Sequence, residues 1–225
     1  MKLKDIDLPS KLNKDNHFVT PVWHATDSSM VKYLIKKTDP YIKEAQKIKK
    51  NEVALRKKFY KKDDMGMVYH SKTMINDPSF RYLQDYVIAT SHNLLEEMGY
   101  DLSQYQVFMT ECWVQEFSQN GAGYHSIHTH WNGHISGFYF LKGSEKTSRP
   151  VFHDPRPGKI MKDLPLKTEK QISYGTSKIA YSPMPGNIIF FPSYLPHEYL
   201  VDLGVEPFRF IHWNCEAIPK GVLPK

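Results

Sequence analysis

Four histidines fall within ten positions of this chain: His125, His128, His130 and His134, in the run Tyr124-His-Ser-Ile-His-Thr-His-Trp-Asn-Gly-His134. His128 and His130 are two apart. On an extended backbone such residues point to the same side, so two imidazoles project together from a strand end. Neutral imidazole is a good ligand for divalent transition metals. A third ligand has to come from elsewhere, and His197, in Pro196-His197 after the apolar run Ile188-Ile-Phe-Phe191, is the best placed. His125 and His134 read as supporting groups or plain loop residues.

The elements that must hold these groups divide the chain in two. Up to about residue 100 the pattern is helical. Asp27-Ser-Ser29 offers caps for a helix carrying Met30, Val31, Leu34 and Ile35. Asp39-Pro40 reads as the cap and first residue of a further helix, with Tyr41, Ala45, Ile48, Leu55 and Phe59 at helical spacing, broken at Asp64-Met-Gly66. Asp77-Pro78 begins another, with Phe80, Leu83, Val87, Leu94 and Met98 as its buried stripe and Gly99 at its end. Phe18-Val-Thr-Pro-Val-Trp23 suits an edge strand because Pro21 cannot donate to a ladder.

After Gly99 the texture changes. Short apolar runs follow at Gln106 to Phe117, Phe138 to Leu141, Pro150 to Pro155, Ile179 to Tyr181, Gly186 to Phe191, Glu198 to Val201 and Phe208 to Cys215, bounded by Gly, Pro, Asn and Asp. Residues 156–177 read as a long loop over one rim. Many short strands without a helical pattern between them indicate a barrel or sandwich. The expectation is one domain over 1–225, mainly β, with about 1–100 as helical support and about 101–217 as the β core.

Composition narrows the function classes. With 225 residues and 40% hydrophobic side chains the chain can fill one core. Two cysteines, Cys112 and Cys215, lie in apolar runs and read as buried free thiols, which favours a reducing, cytoplasmic setting. No run near ~20 apolar residues predicts a membrane span. The net charge of +6 is local: Lys43 to Lys62 holds nine Lys or Arg against two Glu, and the remainder sums to about −1. That segment reads as a solvated face. Nucleic acid is a conceivable partner, but no nucleic-acid motif accompanies the charge.

An ordered set of motifs resembles the iron(II)/2-oxoglutarate-dependent oxygenases, and within them a group of small members from marine bacteria and phages. The pieces are Phe18 to Trp23, Glu111-Cys-Trp-Val114, His128-Thr-His130, Ser136-Gly-Phe-Tyr139, Phe152-His-Asp-Pro155, Pro185 to Ser193, His197 and Arg209-Phe-Ile-His-Trp-Asn214. The resemblance implies a double-stranded β-helix, or jelly roll, using Fe(II), 2-oxoglutarate and O2. It implies iron on His128, His130 and His197, and the 2-oxoglutarate carboxylate on Arg209, whose planar fork matches a carboxylate. Tyr139, Trp113 and Asn214 would line the co-substrate pocket. Most of that superfamily has Asp or Glu where this chain has His130, so Asp154 stands as a competing second ligand.

No acidic residue lies within the Arg209 strand itself, so its expected partner is a ligand carboxylate. The implied reaction is hydroxylation of a C–H bond with release of succinate and CO2. The alternative is a cupin-like metal-binding protein or a metalloenzyme that needs no 2-oxo acid; a cation opposite the metal would separate the two.

Overall fold

The computed structural model describes residues 14–60 and 64–222. Lys61 and Lys62 of the basic segment lie outside the described residues. Helix α1 (Val31–Ile48) buries Val31, Leu34, Thr38, Ile42 and Ala45, a stripe at helical spacing, and the short α2 (Lys50–Arg56) buries nothing. No new helix starts at Asp39-Pro40, because α1 runs through Pro40. Proline removes one helix N–H, and side chains tend the carbonyls around it. The Thr38 hydroxyl donates to Leu34 O at 2.7 Å and Ile35 O at 3.1 Å, and Arg209 Nη1 donates to Ile35 O at 3.4 Å. At Asp77 the expected start holds. Its carboxylate accepts from Ser79 N at 2.8 Å, Pro78 follows, and a single 3-10 turn (Pro78–Phe80) leads into α3 (Arg81–Glu97). Gly99 closes this helix at φ +91°, a conformation costly for any residue with a Cβ.

Among the described residues ten strands form two antiparallel sheets. One has the order β1 (Trp23–Thr26), β8 (Asn187–Pro192), β5 (Ile135–Lys142), β10 (Arg209–Pro219), β3 (Tyr105–Phe117), β2 (Val68–His70). The other has the order β4 (His125–His128), β9 (His197–Tyr199), β6 (Pro150–His153), β7 (Lys178–Ala180). The fold is therefore mainly β with N-terminal helices. The expected edge strand is shifted: only Trp23 of residues 18–23 enters β1, which is indeed an edge and pairs with β8. The expected loop over 156–177 contains one short helix, α4 (Pro157–Ile160). Among the described residues no helix is long and apolar enough to cross a membrane.

Side-chain alternation separates two layers. One face of the six-stranded sheet presents Cys112, Val114, Tyr139, Leu141, Ile188, Phe190, Ile211, Trp213 and Cys215, and these pack with Leu34 and Ile42 of α1 and Leu83 and Val87 of α3. Both cysteines are free and buried there, and burial pushes each thiol up to about 12. The other face presents Phe117, Phe138, Phe140, Ile189, Phe191 and Phe210, which meet Phe152 and Tyr199 of the smaller sheet. Fully burying each such ring stabilises by about 1.5–3 kcal/mol. Gly137 makes room for Trp213: a Cβ there would sit 2.5 Å from Ile189 O and run into the indole.

Candidate metal centre

The aromatic inter-sheet layer gives way at one end to histidines. Strands β4 and β9 pair His128 with His197 directly. His130 lies just past β4, held by its backbone N donating to Ser193 O at 2.9 Å. Ring centroids are 4.4 Å apart for His128 and His197, 5.1 Å for His130 and His197, and 5.1 Å for His128 and His130. One ring nitrogen from each lies within 4.8 Å of the others. The Nε2 atoms of His130 and His197 are 3.3 Å apart, the ligand separation that bonds of about 2.1 Å around one ion require.

The outer nitrogens fix the rings. Nδ1 of His128 faces Ser126 O at 2.8 Å and Nδ1 of His197 faces Leu195 O at 3.0 Å. A neutral ring that donates from Nδ1 keeps its lone pair on Nε2, turned inward. Burial, reinforced by the neighbouring imidazoles, lowers His130 to about 4 and His197 to about 3. Both rings are therefore neutral at pH 7 and need lose no proton to bind a metal. The residues present fit a divalent transition ion. Asp154 does not join them; its carboxylate is held by Arg156, with Nη2 at 2.7 Å and Nε at 2.9 Å.

The sheet sorts the remaining sequence candidates by face. Trp113 and Asn214 come to the histidine side. Trp113 packs between His70, at 4.0 Å, and His212, at 4.5 Å. The Asn214 amide donates to Glu111 Oε2 at 2.8 Å and lies 3.3 Å from His130 Nδ1, while its Oδ1 accepts from Ser136 Oγ at 2.6 Å. A bulge at Thr110, where the β3–β10 register shifts, turns Glu111 and Asn214 toward this end.

Tyr139 and Arg209 take the opposite face. The Tyr139 hydroxyl donates to Asp27 O beside α1. Arg209 is 3% exposed, and its guanidinium donates to Glu116 Oε2 at 2.7 Å, Asp39 Oδ1 at 2.6 Å and Thr38 Oγ1 at 3.1 Å. The expectation that Arg209 points at the metal and awaits a ligand carboxylate is corrected here. Its partners come from β3 and α1, across the sheet and not along the strand. His134 is also elsewhere, with its Nδ1 accepting from Ala217 N at 3.2 Å.

Several groups at this end were given no metal or pocket role by the sequence reading, which took His125 as a supporting or loop residue. His212 is fully buried and stacks on His130 at 4.6 Å. His125 stacks on Phe117 and hydrogen-bonds Gln115, and burial lowers it to about 4. Glu111 and His70 complete the set. The alternation from Trp113 to Glu111, and from Asn214 to His212, was the available signal.

In sequence, residues 111–206 match the model of a family described as "Putative 2OG-Fe(II) oxygenase". That match covers less than half of the chain. The family description names Fe(II) and 2-oxoglutarate, and the three histidines here are a donor set of the kind that holds a divalent transition ion. Solved structures agree in fold. A Pseudomonas putida prolyl-4-hydroxylase superposes with a TM-score of 0.53 at 10% identity, over 88% of this chain and 93% of its own. The alpha-ketoglutarate-dependent epimerase SnoN from nogalamycin biosynthesis gives 0.55 at 10% identity, over 90% and 80%. The carbocyclase SnoK from the same biosynthesis gives 0.53 at 10%, over 89% and 82%. A further SnoN structure contains Fe3+, alpha-ketoglutarate and nogalamycin RO. No curated protein matches the chain in sequence.

Proposed function

We propose that the chain is an Fe(II)- and 2-oxoglutarate-dependent dioxygenase that hydroxylates a C–H bond of its substrate with release of succinate and CO2, and that its two sheets form a double-stranded β-helix. The observation that carries this reading is the convergence of ring nitrogens of His128, His130 and His197 on one point, with Nδ1 of His128 and of His197 turned to backbone carbonyls. Iron(II) with 2-oxoglutarate and O2 supplies the oxidising power. The chain supplies the rest: three neutral ligands on one side of the ion, aromatic walls from Phe138, Phe152 and Phe191 around His197 that keep water out, and inward-facing Trp113 and Asn214 to contact the co-substrate.

Anaerobic Fe(II) and 2-oxoglutarate together give a charge-transfer absorption on such a centre. The parent protein should show it and, on admitting air, should form succinate. His197→Ala should do neither. Parent protein without the absorption, or a His197→Ala variant that retains it, overturns the assignment.

One observation favours a second reading. The cation expected to hold the 2-oxo acid, Arg209, is bound to Glu116 and Asp39. A metal protein that uses no 2-oxo acid has no need of a free cation. It would gain melting temperature from Mn(II) but nothing further from 2-oxoglutarate, whereas the oxygenase gains from both.

A further inference from the structure

Beside the three histidines lies a second group of donors that shares only His130 with the proposed iron site. A carboxylate oxygen of Glu111 and one ring nitrogen each of His130 and His212 lie within 4.8 Å of one another. Glu111 comes from β3 and His212 from β10, adjacent strands, and the β10 residue opposite Glu111 is Asn214. His212 is 0% exposed, lies over His130 at an interplanar angle of 27° and abuts Trp113. Both of its ring nitrogens are buried without a hydrogen-bond partner. A neutral imidazole has one donor and one acceptor to satisfy, and leaving both unmatched away from water is costly. The other buried histidine here is satisfied, since Nδ1 of His197 faces a carbonyl. His212 instead faces a second imidazole and a carboxylate. Two histidines and a carboxylate suit a divalent transition ion.

We propose that Glu111, His130 and His212 form a second divalent-metal position, suited to zinc-like and first-row ions, that competes with the iron position for His130. The competition rests on the oxygenase reading; the metal position itself does not. A neutral imidazole offers one lone pair, so His130 serves one ion at a time. The carboxylate sets the positions apart: a divalent ion among three imidazoles keeps both charges, whereas here Glu111 cancels one, which buried surroundings favour. An ion bound here withholds His130 from iron and inhibits the enzyme.

The test uses the full chain stripped by chelator and titrated with Co(II), whose visible absorption reports protein ligation. In a His128→Ala/His197→Ala double variant the three-histidine position is gone, yet about one Co(II) per chain should still bind. Adding Glu111→Gln or His212→Gln should weaken that binding at least tenfold. In a His197→Ala single variant Co(II) should likewise bind, and adding Glu111→Gln should weaken that binding at least tenfold. The proposal is overturned if the folded double variant, checked by circular dichroism, binds no Co(II), or if Glu111→Gln leaves its binding unchanged. Should the double variant not fold, the His197→Ala single variant decides, and Co(II) binding there that Glu111→Gln leaves unchanged overturns the proposal. Loss of the charge-transfer absorption in the parent, with Co(II) binding to the double variant intact, would remove the oxygenase reading and leave this site standing.

Discussion

Replacing Arg209 by Ala tests whether this residue holds the fold or the co-substrate. The guanidinium sits between Glu116, whose side chain is 8% exposed, and Asp39, whose side chain is 45% exposed. The contact with Asp39 is well solvated and contributes at most about 1 kcal/mol. Glu116 is another matter, because removing one partner of a buried pair costs about 3–5 kcal/mol. Lys142 Nζ remains 3.1 Å from the same Glu116 oxygen, which places the expected loss near the lower end, about 3–4 kcal/mol. For a chain of this size each kcal/mol moves the melting temperature by about 2–4 °C, so the variant should melt roughly 6–16 °C lower. Arg209→Met combined with Glu116→Gln removes the stranded charge and should recover most of the loss. Below its transition Arg209→Ala should still give the charge-transfer absorption with anaerobic Fe(II) and 2-oxoglutarate. A variant that melts like the parent but has lost that absorption refutes this reasoning, for Arg209 would then have to turn inward to a ligand.

Gly137→Ala should cost about 3 kcal/mol, because the new methyl meets Ile189 O and the Trp213 indole in a packed sheet; urea denaturation should show a midpoint roughly 1 M lower, and an unchanged midpoint would mean the indole can yield. Stability should also fall in acid. His125, His130 and His197 are lowered to about 4, about 4 and about 3 by burial, while unfolded histidine titrates near 6.5. The unfolded chain therefore binds more protons in this window, so the stabilisation is fully present above pH 6.5 and is lost as pH falls from there toward 3. Urea midpoints measured with chelator from pH 8 to pH 4 should drop steadily below 6.5, and a flat profile between 7 and 5 would contradict the burial of these rings.

The histidine centre was legible because its information is local. A two-residue spacing on an extended segment, and a third histidine after an apolar run, need no knowledge of distant partners. The strands from β5 to β10 were legible for the same reason, as was the Asp77-Pro78 start. Arg209 was not. Its partners lie 93 and 170 residues away in sequence, where no local rule reaches. Yet one sign was available. Arg209 and Asn214 are five apart on one strand, an odd number, and so cannot both face the pocket while the strand stays regular. The same parity puts His212 with Asn214 and Glu111 with Trp113, and would have found the second donor group. Helix α1 passed through Pro40 because burial of Leu34, Thr38 and Ile42 along one stripe outweighs one missing N–H.

The central place of β10 bears on how far the chain can be dissected. This strand pairs with β3 on one side and β5 on the other, yet it begins at Arg209, beyond the segment 111–206 that matches the family model. Cut at residue 206, the large sheet would come apart into two ribbons, each with a long, hydrophobic, unpaired edge. Such edges recruit neighbouring chains. The excised segment would keep His128, His130 and His197 but should gather into aggregates, and the smallest portion able to stand alone extends forward through β10 and back through α1.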